Sequence, residues 1–153
     1  MKQLITTLFF AAFVLTVQAQ NPTEETAVKA AVNQLFTAMK TADAALLTSS
    51  FTDSALLQTI VTNKQGKTVV RNESIADFAK QIAQLPKGAA DERITFGSVQ
   101  IDGALANVWT PYQFYYNGNF SHCGVNNFVL VKQNNVWKIQ YIIDTRREDG
   151  CAL

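Results

Sequence analysis

His122 is the single histidine in the chain, and an imidazole set in Ser121-His122-Cys123-Gly124-Val125 can donate a proton, accept one or orient a partner near neutral pH. Its plainer role is a structural histidine satisfied by backbone or water, and both roles stay open on sequence. Upstream lie Trp109, Tyr112, Phe114, Tyr115 and Tyr116, which offer flat faces and hydroxyl handles to a planar ligand. Aromatic residues in strands are more often core or interface, so that alternative also stands. Asp144 could orient His122 or serve as a base. Arg146 and Arg147 could clamp an anion, against a reading as surface charge paired with Glu148 or Asp149. Asp53 is either a helix-end cap or a pocket acid. There is no Ser-His-acid order with an elbow and no Gly-rich phosphate loop. One His beside Cys123 supplies too few ligands for a metal, so neither metal nor cofactor is expected.

Strands must hold these groups. Arg93 to Ile101, Ala104 to Tyr116, Phe120 to Lys132 and Val136 to Arg146 read as sheet, separated by Asp102-Gly103, Asn117-Gly118 and Gln133-Asn134-Asn135. Two of those breaks are strong hairpin turns. Side chains alternate along a strand and opposed residues share a face, so the last turn assigns faces. With Leu130 opposite Ile139, Phe128 opposes Tyr141, Asn126 opposes Ile143 and Gly124 opposes Thr145. His122 and Trp137 join this largely apolar face, which becomes polar toward one end as an enclosed pocket does. Val125, Val129, Val131, Lys138, Gln140, Ile142, Asp144 and Arg146 occupy the other. On strict parity Asp144 is therefore separated from His122 unless a bulge intervenes.

Helices precede the sheet. Asn21-Pro22-Thr23-Glu24 offers a cap, a proline in the first turn and an acid, and Val28, Val32, Leu35, Phe36 and Met39 follow at helical spacing. Asp43 can cap a short second helix through Leu46 and Leu47, ending near Asp53. Leu56 to Thr62 and Thr68 to Arg71 form a hairpin about Asn63-Lys64-Gln65-Gly66. Asn72 or Ser74 caps a third helix carrying Ile75, Phe78, Ala79 and Ile82, which Pro86-Lys87-Gly88 stops. The class is α+β, with a long, mostly antiparallel sheet that must curl and cover one face with helices.

The N-terminus predicts export. Lys2 is followed by an uncharged apolar run from Leu4 through Val17 and then Val17-Gln18-Ala19-Gln20, the pattern of a signal peptide over residues 1–19 cleaved after Ala19. Polar Gln18, Gln20 and Asn21 arrive too soon for a spanning helix of about 20 apolar residues, so no membrane contact is expected after cleavage. The mature domain, 20–153, is a single unit placed in the periplasm or the medium. Of 13 basic and 12 acidic residues, the leader removes Lys2, leaving 12 of each. A neutral domain without a basic run has no electrostatic footprint for nucleic acid. Cys123 and Cys151 both remain, and export permits them to form a disulfide; two free thiols are the alternative.

The order of elements resembles the nuclear transport factor 2-like superfamily, in which a curved sheet wraps helices into a cone with a pocket. Trp109-Thr110-Pro111-Tyr112-Gln113-Phe114, Ser121-His122-Cys123-Gly124-Val125, Trp137-Lys138-Ile139 and Asp144-Thr145-Arg146 are similar to the SnoaL-like proteins of the family called Putative lumazine-binding. The likeness covers the mature chain for fold and Val108 to Cys151 for the motif. It implies three N-terminal helices packed in a strongly curved, mostly antiparallel mixed sheet, and through dimeric members of the superfamily it implies a sheet-to-sheet homodimer. Members include ketosteroid isomerase, scytalone dehydratase, polyketide cyclases and non-catalytic binding or assembly domains, so the fold transfers no reaction. The acidic base and oxyanion-binding groups of ketosteroid isomerase have no residue-by-residue match here.

Three functions follow as expectations. The first is an exported small-molecule binding protein whose aromatic-lined cone holds a planar or heterocyclic ligand against Trp109, Tyr112, Phe114, His122, Asn126, Phe128 and Tyr141. The second is an isomerase, dehydratase or cyclase in which His122 moves a proton and Tyr112 or Tyr141 polarises a carbonyl. The third is a pocketless interaction module that dimerises through its sheet. Binding ranks first because only one proton-transfer group falls on the inferred pocket face.

Overall fold

The apolar stripe of the first helix sets the layout. A computed structural model describes residues 22–151; the leader at residues 1–19 and the Asn21 cap lie outside the described residues. Helix α1 (Pro22–Thr41) buries Val28, Val32, Leu35, Phe36 and Met39, with Glu24 and Glu25 in its first turn and Lys40 in its last, as the helix dipole favours. Ala42, at φ 56°, ends it. The Asp43 carboxylate then accepts from the Leu46 N–H at 2.9 Å and caps α2 (Ala44–Ser49). A hairpin follows, β1 (Phe51–Thr62) and β2 (Thr68–Glu73). Ser74, rather than Asn72, caps α3 (Ile75–Ala83), accepting from the Asp77 N–H at 3.3 Å.

The remaining strands are β3 (Ala90–Ile94), β4 (Ser98–Asp102), β5 (Leu105–Tyr116), β6 (Asn119–Gln133) and β7 (Val136–Thr145). All seven belong to one sheet in the order β2-β1-β7-β6-β5-β3, with β4 also on β5. β1 runs parallel to β7 and the other pairs are antiparallel. The fold is the expected α+β cone, three helices inside a curved mixed sheet.

One expected strand is two. Arg93 to Ile101 breaks between β3 and β4 because Pro111 of β5 has no N–H to offer that edge. Its carbonyl takes the Thr95 N–H at 3.0 Å, and Gly97 N–H reaches the Trp109 carbonyl at 2.9 Å. β1 also starts earlier than Leu56, at Phe51, so Asp53 is an exposed strand residue rather than a cap or a pocket acid.

Two bulges correct the assignment of faces. Leu130 does oppose Ile139, but Val129 opposes Tyr141, leaving Gln140 as an extra residue in β7. Its side-chain amide is taken up by β1, accepting from the Thr52 hydroxyl at 2.8 Å and donating to the Ser54 carbonyl at 3.1 Å. Beyond it the parity reverses. Phe128 opposes Ile142 and Asn126 opposes Asp144, so Ile142 and Asp144 turn inward while Tyr141 and Ile143 turn outward. At Ser121 a second bulge pairs Phe114 with His122 but Tyr115 with Phe120. His122 stays inside and Phe120 goes out, edge-on to Tyr115 at 5.9 Å.

The core fills one end of the concavity. Val28 and Val32 of α1 share the buried cluster with Val108, Phe128, Leu130, Trp137 and Ile139, each large side chain contributing about 1.5–3 kcal/mol by burial. Phe36 meets Phe128 edge-on at 6.0 Å. Glu24 ties α1 to the last hairpin, accepting from Lys132 at 2.6 Å and from the Trp137 indole at 3.0 Å. Lys40 pairs with Asp91 at 2.8 Å, holding β3 against the end of α1. The other end of the concavity is left open.

Candidate functional site

A cavity of about 360 Å³ occupies that open end. One wall is apolar and helical, with Leu35, Phe36 and Met39 from α1 and Phe78 and Ile82 from α3. The sheet supplies the opposite wall through Tyr112, Phe114, His122, Asn126 and Phe128. Those five are expected contacts that line the cavity. Trp109 and Tyr141 do not: Trp109 is 46% exposed on the outer face, and Tyr141, turned out by the Gln140 bulge, donates its hydroxyl to Gln58 at 2.6 Å.

The polar end also contains Glu92, Asp144 and Arg146, none of which strict strand alternation places on this face. Asp144 and Arg146 arrive through the bulge. Arg146 is not paired with Glu148 or Asp149 but lies against Asp144, Nε to Oδ2 at 3.0 Å, while Arg147 points away and donates to the Gly150 carbonyl. The strand begins at Ala90 rather than at the expected Arg93, which brings Glu92 into it. Ala90 and Ile94, two residues to either side and both packed on the core, were the signal for an inward acid in β3.

Asp144 is 5% exposed and fully engaged. The Thr59 hydroxyl donates to Oδ1 at 2.6 Å, and Oδ2 takes the Arg146 bond and a longer one from the Tyr112 hydroxyl at 3.3 Å. Tyr112 donates more closely to the Thr145 carbonyl, at 2.9 Å, and burial beside these acids pushes its hydroxyl well above the usual phenol range. Thr59 in turn accepts from Arg146 Nη2 at 3.2 Å. Among the described residues Glu92 has a single hydrogen bond, from Asn126 Nδ2 to Oε1 at 2.8 Å. Desolvation, reinforced by the charge of Asp144 and opposed by the Asn126 bond, pushes its carboxyl up to about 7.

His122 packs edge-on to Tyr112 at 5.8 Å and tilted against Phe114 at 5.0 Å. Its Nδ1 lies 3.1 Å from the Ser121 hydroxyl. Burial, with the nearby Arg146 charge, lowers its pKa and so favours the neutral ring. Thr110, opposite Asn126, is fully buried and its hydroxyl has no hydrogen-bond partner among the described residues. Cys123 and Cys151 form a disulfide with Cα atoms 5.8 Å apart. Cys123 also exchanges two backbone hydrogen bonds with Arg147, at 2.8 and 2.9 Å, which fixes the tail beside His122. Among the described residues no group of three or more His, Cys, Asp or Glu side chains is placed to hold a metal, and no helix is long and apolar enough to cross a membrane.

A hydrogen-bonding wall of this kind, set in an aromatic cavity, can orient a small molecule, and a carboxyl that titrates near 7 can exchange a proton with it. The family model described as "Putative lumazine-binding" matches residues 23–140. No curated protein matches the chain. Among solved structures, an NTF2-like protein of unknown function from Shewanella baltica is 14% identical with a TM-score of 0.66, over 86% of this chain and 100% of that one. A domain of unknown function with a cystatin-like fold from Nostoc punctiforme is 18% identical with a TM-score of 0.65, over 86% and 82%. A ketosteroid isomerase-like protein from Erwinia carotovora atroseptica is 16% identical with a TM-score of 0.60, over 84% and 100%. At such identities the likeness is one of fold.

Proposed function

Because this chain belongs to the Putative lumazine-binding family, with the nuclear transport factor 2-like fold, we propose that it is an exported protein that binds a small, partly planar molecule in the cone cavity. The observation that carries this reading is the cavity itself, about 360 Å³ with aromatic walls and its polar groups gathered at one end, which is the usual anatomy of a small-molecule site. The ligand lies between Phe78 of α3 and the Phe114 ring, its polar edge toward Glu92 and Asn126. Export to the periplasm or the medium rests on the leader at residues 1–19, and a disulfide suits an oxidising compartment. The outer sheet face, with Trp109, Leu105 and Tyr141, is assigned to a homodimer.

A thermal-shift panel of aromatic heterocycles, lumazine among them, tests the binding reading against wild type and a cavity-filling Phe78→Trp variant. A compound at about 100 times its Kd stabilises the native state by about 2.7 kcal/mol, on the order of 10 °C in Tm. That shift should shrink in Phe78→Trp. Equal shifts in both proteins, or none across the panel, would remove the cavity as the binding site.

Proton-transfer catalysis is the second reading, and the observation favouring it is Glu92. A carboxyl poised near neutrality is suited to act as general acid or base, whereas His122, packed against two aromatic rings, has no carboxylate within hydrogen-bond distance among the described residues.

A further inference from the structure

The two carboxylates at the polar end of the cavity differ in what they have left to offer. Asp144 is satisfied by Thr59, Arg146 and Tyr112, and its charge is balanced by Arg146, the one Lys or Arg side chain among the described residues that lines the cavity. Glu92 takes one hydrogen bond, at Oε1 from Asn126, and its Oε2 has no partner among the described residues. The bonded Asn126 leaves its own carbonyl oxygen without a partner there as well. Two acceptors therefore stand side by side in the cavity wall, one of them on a group able to carry a full negative charge.

We propose that the cavity selects a ligand with a cationic or strongly donating nitrogen edge, an amidine or amino-heterocycle, which seats on Glu92 beside the Asn126 carbonyl. This rests on the reading of the cavity as a ligand site. An anionic ligand would meet Asp144 and, above about pH 7, an ionised Glu92, with Arg146 already committed to Asp144, and like charges in a desolvated site repel strongly. A purely apolar ligand would strand both acceptors, at the cost of their lost hydration. A planar N–H edge satisfies both and stacks on the Phe114 ring.

The choice has a proton linked to it. The groups facing Glu92 are Asp144 from β7 and Arg146 just past its end, His122 from β6, Tyr112 and Tyr116 from β5, and Glu73 from the end of β2; α1 and α3 present apolar side chains and Gln81. Only Arg146 among these is a cation at neutral pH, so burial keeps the proton on Glu92 in the empty cavity up to about pH 7. When a cationic ligand enters, the Glu92 O–H bond breaks, the proton passes to solvent, and an N–H to carboxylate pair replaces it.

Isothermal titration of the mature chain with benzamidine, benzamide and benzoate, one ring carrying three charges, reads this out. Benzamidine is expected to bind best. Its affinity should rise about tenfold from pH 6 to pH 8, the ratio of ionised Glu92 for a midpoint near 7, with proton release at pH 6 visible as a dependence on buffer ionisation enthalpy. Glu92→Gln should erase the preference for benzamidine over benzamide while benzamide still binds. A preference for benzoate, equal binding of benzamidine and benzamide, or a benzamidine preference that survives in Glu92→Gln overturns the inference and leaves the cavity reading in place. If none of the three binds while another member of the heterocycle panel does, this inference falls alone. If nothing binds at all, both fall.

Discussion

Burial, reinforced by the Asp144 charge and opposed by the Asn126 hydrogen bond, pushes the Glu92 carboxyl up to about 7, and that has a consequence for stability. Its folded pKa lies above its unfolded value of 4.5, so between those values the native state binds the extra proton. Stability from this group is therefore fully present below about pH 4.5, falls as pH rises to 7, and levels off above that. Glutamine keeps the acceptor for Asn126 and cannot ionise. Urea unfolding of Glu92→Gln and wild type should show the variant gaining on the order of 2 kcal/mol relative to wild type between pH 5 and pH 8. A gap between the two proteins that does not move with pH would mean that Glu92 is solvated. His122 and its aromatic neighbours were legible from residue type and spacing, whereas Glu92 was not. An acid two residues from Ala90 and Ile94 looks like any surface acid until the start of β3 is placed correctly.

At the scale of elements, the end of β7 decides which side chains reach the site. Gly124 of β6 lies so close to it that an added Cβ would fall 1.8 Å from the Thr145 carbonyl oxygen and 2.9 Å from Tyr112. That carbonyl is also the acceptor for the Tyr112 hydroxyl. Gly124→Ala must push β7 away, carrying Asp144 and Arg146 with it, at a cost of about 1–3 kcal/mol or more, since backbone rather than a flexible side chain is in the way. Chemical denaturation measures the loss, and a change below about 0.5 kcal/mol, the range of an ordinary surface substitution, would contradict the close approach. The Gln140 bulge is the counterpart on the same strand. Tyr141-Ile142-Ile143, just past Gln140, is apolar at both parities, so the pattern could not report where the face reverses. What fixes the bulge is β1, a parallel neighbour 80-odd residues earlier, whose Thr52 and Ser54 take up the Gln140 amide.

On the whole molecule, the outer sheet face is more apolar than strict alternation predicts, because the bulge exchanges Asp144 and Ile142 for Tyr141 and Ile143. Leu105 is 49% and Trp109 46% exposed on it, and Val125, Val129 and Val131 lie on the adjacent strand. A surface of this composition suits a self-complementary interface, which is the homodimer proposed above. Sedimentation equilibrium at micromolar concentration should return a dimer that Trp109→Glu shifts to monomer with its fold intact; a wild-type monomer would remove the proposal.

Sequence by itself determined what local chemistry dictates: helix starts at capping residues, strands at alternating runs, hairpins at Asn-Gly and Asp-Gly, the α+β class, and the inward direction of His122, Asn126 and Phe128. These depend on periods of a few residues and survive in any context. The tertiary structure alone decided that Asp144 and Arg146 face the cavity, that Tyr141 and Trp109 do not, and that Glu92 is enclosed with a spare acceptor. Each of those depends on one extra residue in a ladder or on which neighbouring elements close around a carboxyl. Both are set by strands distant in the chain, and a one-residue offset reverses every side chain that follows it.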